Sequence, residues 1–183
     1  NYRVKCYLFA NGKSLSGDCV KNYDRRKDIT TVEICNVSNA AQILSFSEND
    51  IIIDGLFGSG LTREINGLMK EVIQKVNKSG CEVISIDVPS GLFGEDNSKN
   101  NEDAIVKASY TVTFQFPFLS LFFEENCKYA GEWNVVDIGL HKEAIAIGKA
   151  EYSTLERGFV RKLIPARGKF AHKGSFGHAL VVA

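Results

Sequence analysis

The chain has no excess of charge of either sign: 22 Lys and Arg stand against 22 Asp and Glu, a formal net charge of +0. A broad electrostatic field for a polyanion or an anionic membrane surface is therefore missing, and nucleic acid is not the expected partner. No apolar run approaches the roughly 18 residues of a membrane span, and the opening Asn-Tyr-Arg-Val-Lys has no signal-peptide layout, so a soluble, cytoplasmic protein with no membrane partner is expected. Histidine is scarce, at 3, and His141, His172 and His178 all fall late in the chain. That leaves a Ser-His-Asp or Cys-His site without a local base in the first three quarters. The 5 cysteines, Cys6, Cys19, Cys35, Cys81 and Cys127, are odd in number and unclustered, which argues against a disulfide framework or a structural zinc site.

What is present is ordinary globular material: 183 residues, 44% hydrophobic and 24% charged, enough for one sizeable core. Short β-branched runs alternate with helical patterns. Strands are expected at Val4 to Phe9, Thr31 to Cys35, Asp50 to Asp54, Glu82 to Asp87, Ser109 to Phe116 and Trp133 to Ile138. Helices are expected at Ser16 to Lys27, Asn39 to Ser45 and Asn66 to Ser79. This alternation predicts a parallel sheet with crossover helices. The helix after Asn66 is marked by an apolar stripe of Leu68, Met69, Val72, Ile73 and Val76, with Asn66 as N-cap and Gly80 as terminator. The continuous runs Ile51-Ile52-Ile53 and Val83-Ile84-Ser85-Ile86 predict central strands covered on both faces. The aromatic group Phe114, Phe116, Phe118, Phe122, Phe123 and Tyr129 is read chiefly as packing. After Gly139 the character changes to a charged segment, a short helix around Leu155 to Leu163, Pro165 and a basic, glycine-bearing stretch. A domain boundary is expected near residues 141 to 155, and both ends of the chain read as cut.

Two segments carry candidate chemistry, each leaving the end of a strand. The first is Asp54-Gly55-Leu56-Phe57-Gly58-Ser59-Gly60-Leu61-Thr62-Arg63. Its glycines let backbone N–H groups approach anionic oxygens. It is neither a kinase-type P-loop, lacking Lys-Ser/Thr after the last glycine, nor GxGxxG, since Arg63 stands in the third glycine's place. The pattern alone fits a phosphate-friendly loop or a tight strand-to-helix turn equally well. The second is Asp87-Val88-Pro89-Ser90-Gly91, which brings another carboxylate and a hydroxyl to the same sheet edge. Asp54 and Ser90 could serve as oxygen ligands of a hard cation, leaving Asp87 for a substrate; a turn-capping Asp87 is the alternative. Ser90 lacks the flanking glycines of a nucleophile elbow.

Taken with Gly131-Glu132-Trp133-Asn134-Val135-Val136-Asp137-Ile138-Gly139-Leu140, the runs Ile51 to Arg63 and Ile86 to Leu92 resemble the YjeF N-terminal domain, which contains the NAD(P)H-hydrate epimerases. The resemblance implies an α/β, three-layer Rossmann-like, doubly wound and mostly parallel sheet over residues 1–140, truncated at its N-terminus. It implies a linker with a short helix over 141–165. Residues 166–183 resemble the opening of a ribokinase-like NAD(P)H-hydrate dehydratase domain. The implied activity is epimerisation of R and S NAD(P)H hydrates within a bifunctional repair enzyme. Asp87 would be the acid-base residue, and Gly58, Ser59, Gly60, Leu61, Thr62, Arg63, Glu64 and Asp87 would line the small-molecule substrate. Asp54 and Ser90 would bind potassium. ADP or ATP with magnesium would belong to the dehydratase part alone, and a homo-oligomer is compatible with the family. The family's Asn-Asn-Gly-Gly-Asp-Gly loop would precede residue 1, so the isolated fragment is expected to be weakly active or inactive. Phe118 stands where similar sequences lead one to expect lysine. The rival readings are a non-catalytic YjeF-like scaffold for dimerisation or RNA binding, and an unrelated nucleotide-binding α/β enzyme.

Overall fold

The computed structural model describes residues 3–9, 15–25, 32–43, 46–164, 166 and 168–181. The chain divides into two compact units, Asn1–Leu140 and His141–Ala183. In the first, β1 (Val4–Leu8) and β2 (Val32–Asn36) pair in parallel, with α1 (Gly17–Arg25) between them in the sequence. The remaining strands, β3 (Ile51–Asp54), β4 (Glu82–Ile86), β5 (Tyr110–Phe114) and β6 (Glu132–Val136), form a second parallel sheet in sequential order. The α/β class and parallel pairing match the sequence expectation. Among the described residues, however, the strands make two sheets rather than one.

Helix α2 (Leu68–Asn77) crosses from β3 to β4 and buries Met69, Val72, Ile73 and Val76, the stripe read from the sequence. Together with Val83, Val37, Ile43, Ile65, Ala104 and Val106 these side chains form the larger core cluster, with Tyr7, Phe9 and Ile52 packed against it. The N-cap position is taken by Gly67, not Asn66: its φ of 58° turns the chain into the helix, and no side chain caps it. Gly80, at φ 74°, lies two residues past the C-cap Lys78. The expected helix after Asn39 is one 3-10 turn, Ala40–Gln42, closed by a capping box between Asn39 and Gln42. Residues 44 and 45 lie outside the described residues.

The expectation that Ile51 to Ile53 is covered on both faces fails. β3 is an edge strand of its sheet, and Ile51 and Ile53 are 54% and 60% exposed. Tyr110, Phe114 and Val136 are exposed as well. In the register Ile53↔Ile84↔Tyr110↔Glu132 these belong to one open face, while the opposite face carries Val83, Ser85, Thr111 and Thr113 into the interior. The aromatic group divides likewise. Tyr129 is buried with Val88, Leu92, Ile105 and Leu121, and Phe118 packs on that cluster. Phe114, Phe116, Phe122 and Phe123 are exposed rather than packed inside, although the Phe122 ring meets Trp133 edge-on at 5.4 Å.

The second unit holds α3 (Lys142–Ile147), which the sequence reading did not anticipate, and α4 (Arg157–Leu163), shorter than the stretch from Leu155. Neither buries a residue. All five cysteines are free thiols.

Candidate functional site

Parallel pairing sets the carboxyl ends of β3 and β4 side by side, with Asp54 level with Ser85. Because side chains at paired positions share a face, the Asp54 carboxylate and the Ser85 hydroxyl meet in the interior. Asp54 is 3% exposed, a burial that a carboxylate tolerates only when its oxygens are supplied with donors. Its Oδ2 accepts from Ser85 Oγ at 2.7 Å and from the Ser90 N–H at 2.8 Å. Its Oδ1 accepts from Ser90 Oγ at 2.6 Å, with the Leu56 N–H at 3.4 Å. Ser90 Oγ in turn accepts from the Phe57 N–H at 2.9 Å and lies 3.2 Å from the Phe57 carbonyl. Its single proton thus has two acceptors within reach, and the glycine loop is stitched to the segment after β4 through one hydroxyl.

The turn that delivers Ser90 is sterically determined. At Gly91 φ is 99°, and a Cβ there would fall 2.1 Å from the Ala104 carbonyl oxygen. Only glycine fits. The Ser90 carbonyl accepts from the Val106 N–H at 2.9 Å, and Asn100 Nδ2 donates to the Gly91 carbonyl at 2.8 Å.

Asp87 is the first residue past β4 and has φ 72°, rare for a non-glycine residue. Its N–H still donates to the Val112 carbonyl at 2.8 Å, while the Val88 N–H folds back to the Ile86 carbonyl at 3.0 Å. That is a γ-turn of the strained kind, and such strain persists where the surroundings impose it, often at functional sites. The half-buried carboxylate points to the glycine loop, where Oδ2 accepts from the Ser59 N–H at 3.1 Å. A Cβ on Gly58 would come within 3.2 Å of the same oxygen, so glycine there leaves room for the carboxylate.

The structure therefore joins Asp54, Ser90 and the Phe57 backbone in one buried cluster, and Asp87, Gly58 and Ser59 in a second, more open one on the same loop. Leu61 turns inward onto the larger core cluster, its N–H bonded to the Gly58 carbonyl at 3.3 Å. Thr62, Arg63 and Glu64 stand exposed beyond it. Two residues at this edge of the sheet escaped the sequence reading. Ser85 looks like an ordinary strand residue until the register sets it against Asp54. Gln115, the first residue past β5, repeats the left-handed backbone of Asp87 with φ 59°.

Asp54 Oδ1, Ser90 Oγ and the Phe57 carbonyl form an oxygen-only donor set containing one carboxylate, the chemistry a hard cation takes. Among the described residues no three or more His, Cys, Asp or Glu side chains gather as a metal cluster. No described helix is long and apolar enough to cross a membrane.

Comparison with known proteins gives this arrangement its context. A bifunctional NAD(P)H-hydrate repair enzyme of Thermofilum pendens is 32% identical over 98% of this chain and 34% of its own length. A bifunctional NAD(P)H-hydrate repair enzyme of Coxiella burnetii is 36% identical over 81% of this chain and 31% of its own. An NAD(P)H-hydrate epimerase of Oenococcus oeni is 32% identical over 76% of this chain and 62% of its own. The chain thus spans about a third of the length of the bifunctional relatives it matches. The family model of the YjeF-related protein N-terminus matches residues 1–120, covering the glycine loop, the segment after β4 and both site clusters, and the chain belongs to that family.

Proposed function

We propose that this chain is the epimerase part of an NAD(P)H-hydrate repair enzyme and interconverts the R and S hydrates of the reduced dinucleotide. The observation that carries the reading is Asp87: a half-buried carboxylate held in a strained turn at the carboxyl edge of a parallel sheet, 3.1 Å from a backbone N–H of a glycine loop. Crevices at that edge are where open α/β sheets take their ligands. Inverting the configuration at a hydrated carbon breaks that carbon's bond to oxygen or to the ring nitrogen and remakes it on the other face; a proton moves as the bond breaks and is returned as it closes, and the Asp87 carboxylate can do both. The exposed backbone of Gly58, Ser59 and Gly60 offers close approach to the dinucleotide's phosphate oxygens, with Thr62, Arg63 and Glu64 flanking it.

Potassium fits the buried cluster. Asp54 and Ser90 would hold it, joined by the Phe57 carbonyl. The ion would supply positive potential behind the loop that carries the substrate's anionic groups. The chain's own contribution there is to orient: Ser85 and the Ser90 N–H fix the Asp54 carboxylate, and Ser90 Oγ fixes the Phe57 end of the glycine loop.

Residues 166–183 read as the beginning of the ADP- or ATP-dependent dehydratase domain. In support, the match to the bifunctional relative of T. pendens extends over 98% of the chain and so runs through the second unit. The test of the proposed activity is chromatographic separation of the hydrates after incubating pure R-NADPH hydrate with the full-length protein, in potassium and in sodium buffers. Conversion to the S form faster than the spontaneous rate, with a potassium dependence, is expected. Conversion at the spontaneous rate by folded protein refutes the reading.

A further inference from the structure

Only two non-glycine residues among those described have φ in the left-handed region, Asp87 and Gln115, and they occupy equivalent places. Each is the first residue past a strand, on the neighbours β4 and β5. Each N–H donates to the next strand at 2.8 Å, Asp87 to the Val112 carbonyl and Gln115 to the Val136 carbonyl. In each the following N–H folds back across the residue, Val88 to Ile86 at 3.0 Å and Phe116 to Phe114 at 2.6 Å. The same strained turn is thus made twice at one edge of one sheet. With Ile86 level with Val112, Gln115 lies two residues further out than Asp87, on the order of 8 Å away by strand geometry.

The Gln115 side chain is half-buried and oriented: Oε1 accepts from the Ile138 N–H at 3.2 Å. That bond assigns the amide, so Nε2 and its two hydrogens remain without a partner among the described residues. The Ile138 bond uses only the amide oxygen, so the strained position also presents an amide nitrogen with two donors at the sheet edge. We propose that Gln115 is a substrate-positioning residue, its Nε2 donating to an acceptor oxygen on the reacting half of the dinucleotide while Asp87 handles the proton. This rests on the epimerase reading and deepens it: the substrate would be gripped from two strand ends, by a carboxylate at one and an amide donor at the other.

The test uses steady-state epimerisation and thermal melts of the full-length protein with Gln115→Glu and Gln115→Gly. The glutamate keeps an acceptor for Ile138 and loses the donor; the glycine loses both and relieves the backbone. Both variants are expected to raise KM about tenfold with kcat within about twofold, the loss expected when binding shared by ground and transition states is removed. The melting temperature of the glycine variant is expected to equal or exceed that of the parent. A glycine variant with KM within twofold of the parent overturns the proposal, including when the glutamate variant alone weakens binding, since charge repulsion then explains it. A rise in KM seen only where the melting temperature falls also overturns it, making Gln115 a structural link to Ile138. If the parent protein does not epimerise the hydrate at all, the functional reading fails first and this assignment with it.

Discussion

Replacing Ser90 by Ala removes the hydroxyl that links the two chemistry-bearing segments, and the structure sets the size of the effect. Ser90 is 1% exposed and its Oγ donates to the buried Asp54 carboxylate at 2.6 Å, a bond to a charged acceptor worth about 1.5–3 kcal/mol. The same oxygen accepts from the Phe57 N–H at 2.9 Å. Phe57 is half-buried, so water recovers part of that loss and about 1 kcal/mol is charged for it. Asp54 keeps its bonds from Ser85 Oγ and the Ser90 N–H, which prevents complete desolvation of an unpaired charge. The sum is about 2.5–4 kcal/mol. For a chain of this length that lowers the melting temperature by about 5–15 °C, and in urea the midpoint falls with no change in slope. Circular dichroism melts and urea titrations at neutral pH measure it. A loss below about 0.5 kcal/mol, the range of a plain surface substitution, refutes the reasoning, because the Asp54–Ser90 bond would then contribute nothing.

Four other single substitutions probe further contacts of the structure. Ser85→Ala removes one of the donors to Asp54 and is expected to cost about 1.5–3 kcal/mol in the same urea titration. Its effect with Ser90→Ala should be non-additive, since both act on one carboxylate. Gly91→Ala places a methyl 2.1 Å from the Ala104 carbonyl oxygen at φ 99°, so a loss above about 4 kcal/mol, or failure to fold, is expected. Gly58→Ala crowds Asp87 Oδ2 at 3.2 Å on an exposed loop; kcat/KM for the hydrate should fall by about tenfold while the melting temperature holds. At Glu102, the hydrogen bond from Lys128 Nζ at 2.7 Å holds the carboxyl below the usual glutamate range. A depressed carboxylate stabilises above its unfolded titration range and loses that contribution as pH falls. Glu102→Gln is therefore expected to melt slightly lower than the parent near pH 7 and equally near pH 3.

How far the sequence speaks for itself differs from element to element. The stripe of Met69, Val72, Ile73 and Val76 was legible because a helix beside a sheet has one apolar face, and that periodicity survives any tertiary detail. The convergence of Asp54 and Ser90 was legible because parallel strands put their carboxyl ends at one edge. Ser85 was not, since only the register β3 to β4 tells which strand residue stands opposite Asp54. Gln115 was not, because a positive φ at a non-glycine residue leaves no compositional mark. Ile51 and Ile53 misled: a continuous apolar run reads as doubly covered, whereas β3 is an edge strand with one open face. Asn66 misled by one position, because a good capping residue was present and Gly67 turned the chain instead.

In the proposed epimerisation Asp87 moves the proton. Its most direct test is the rate of R-to-S conversion of NADPH hydrate by full-length protein and by Asp87→Asn, a change that keeps an acceptor for the Ser59 N–H and removes the base. An undisturbed melting temperature and a kcat lowered by about 10²–10⁴-fold, the usual contribution of a positioned acid-base group, are expected. Turnover by Asp87→Asn within a few-fold of the parent contradicts that role.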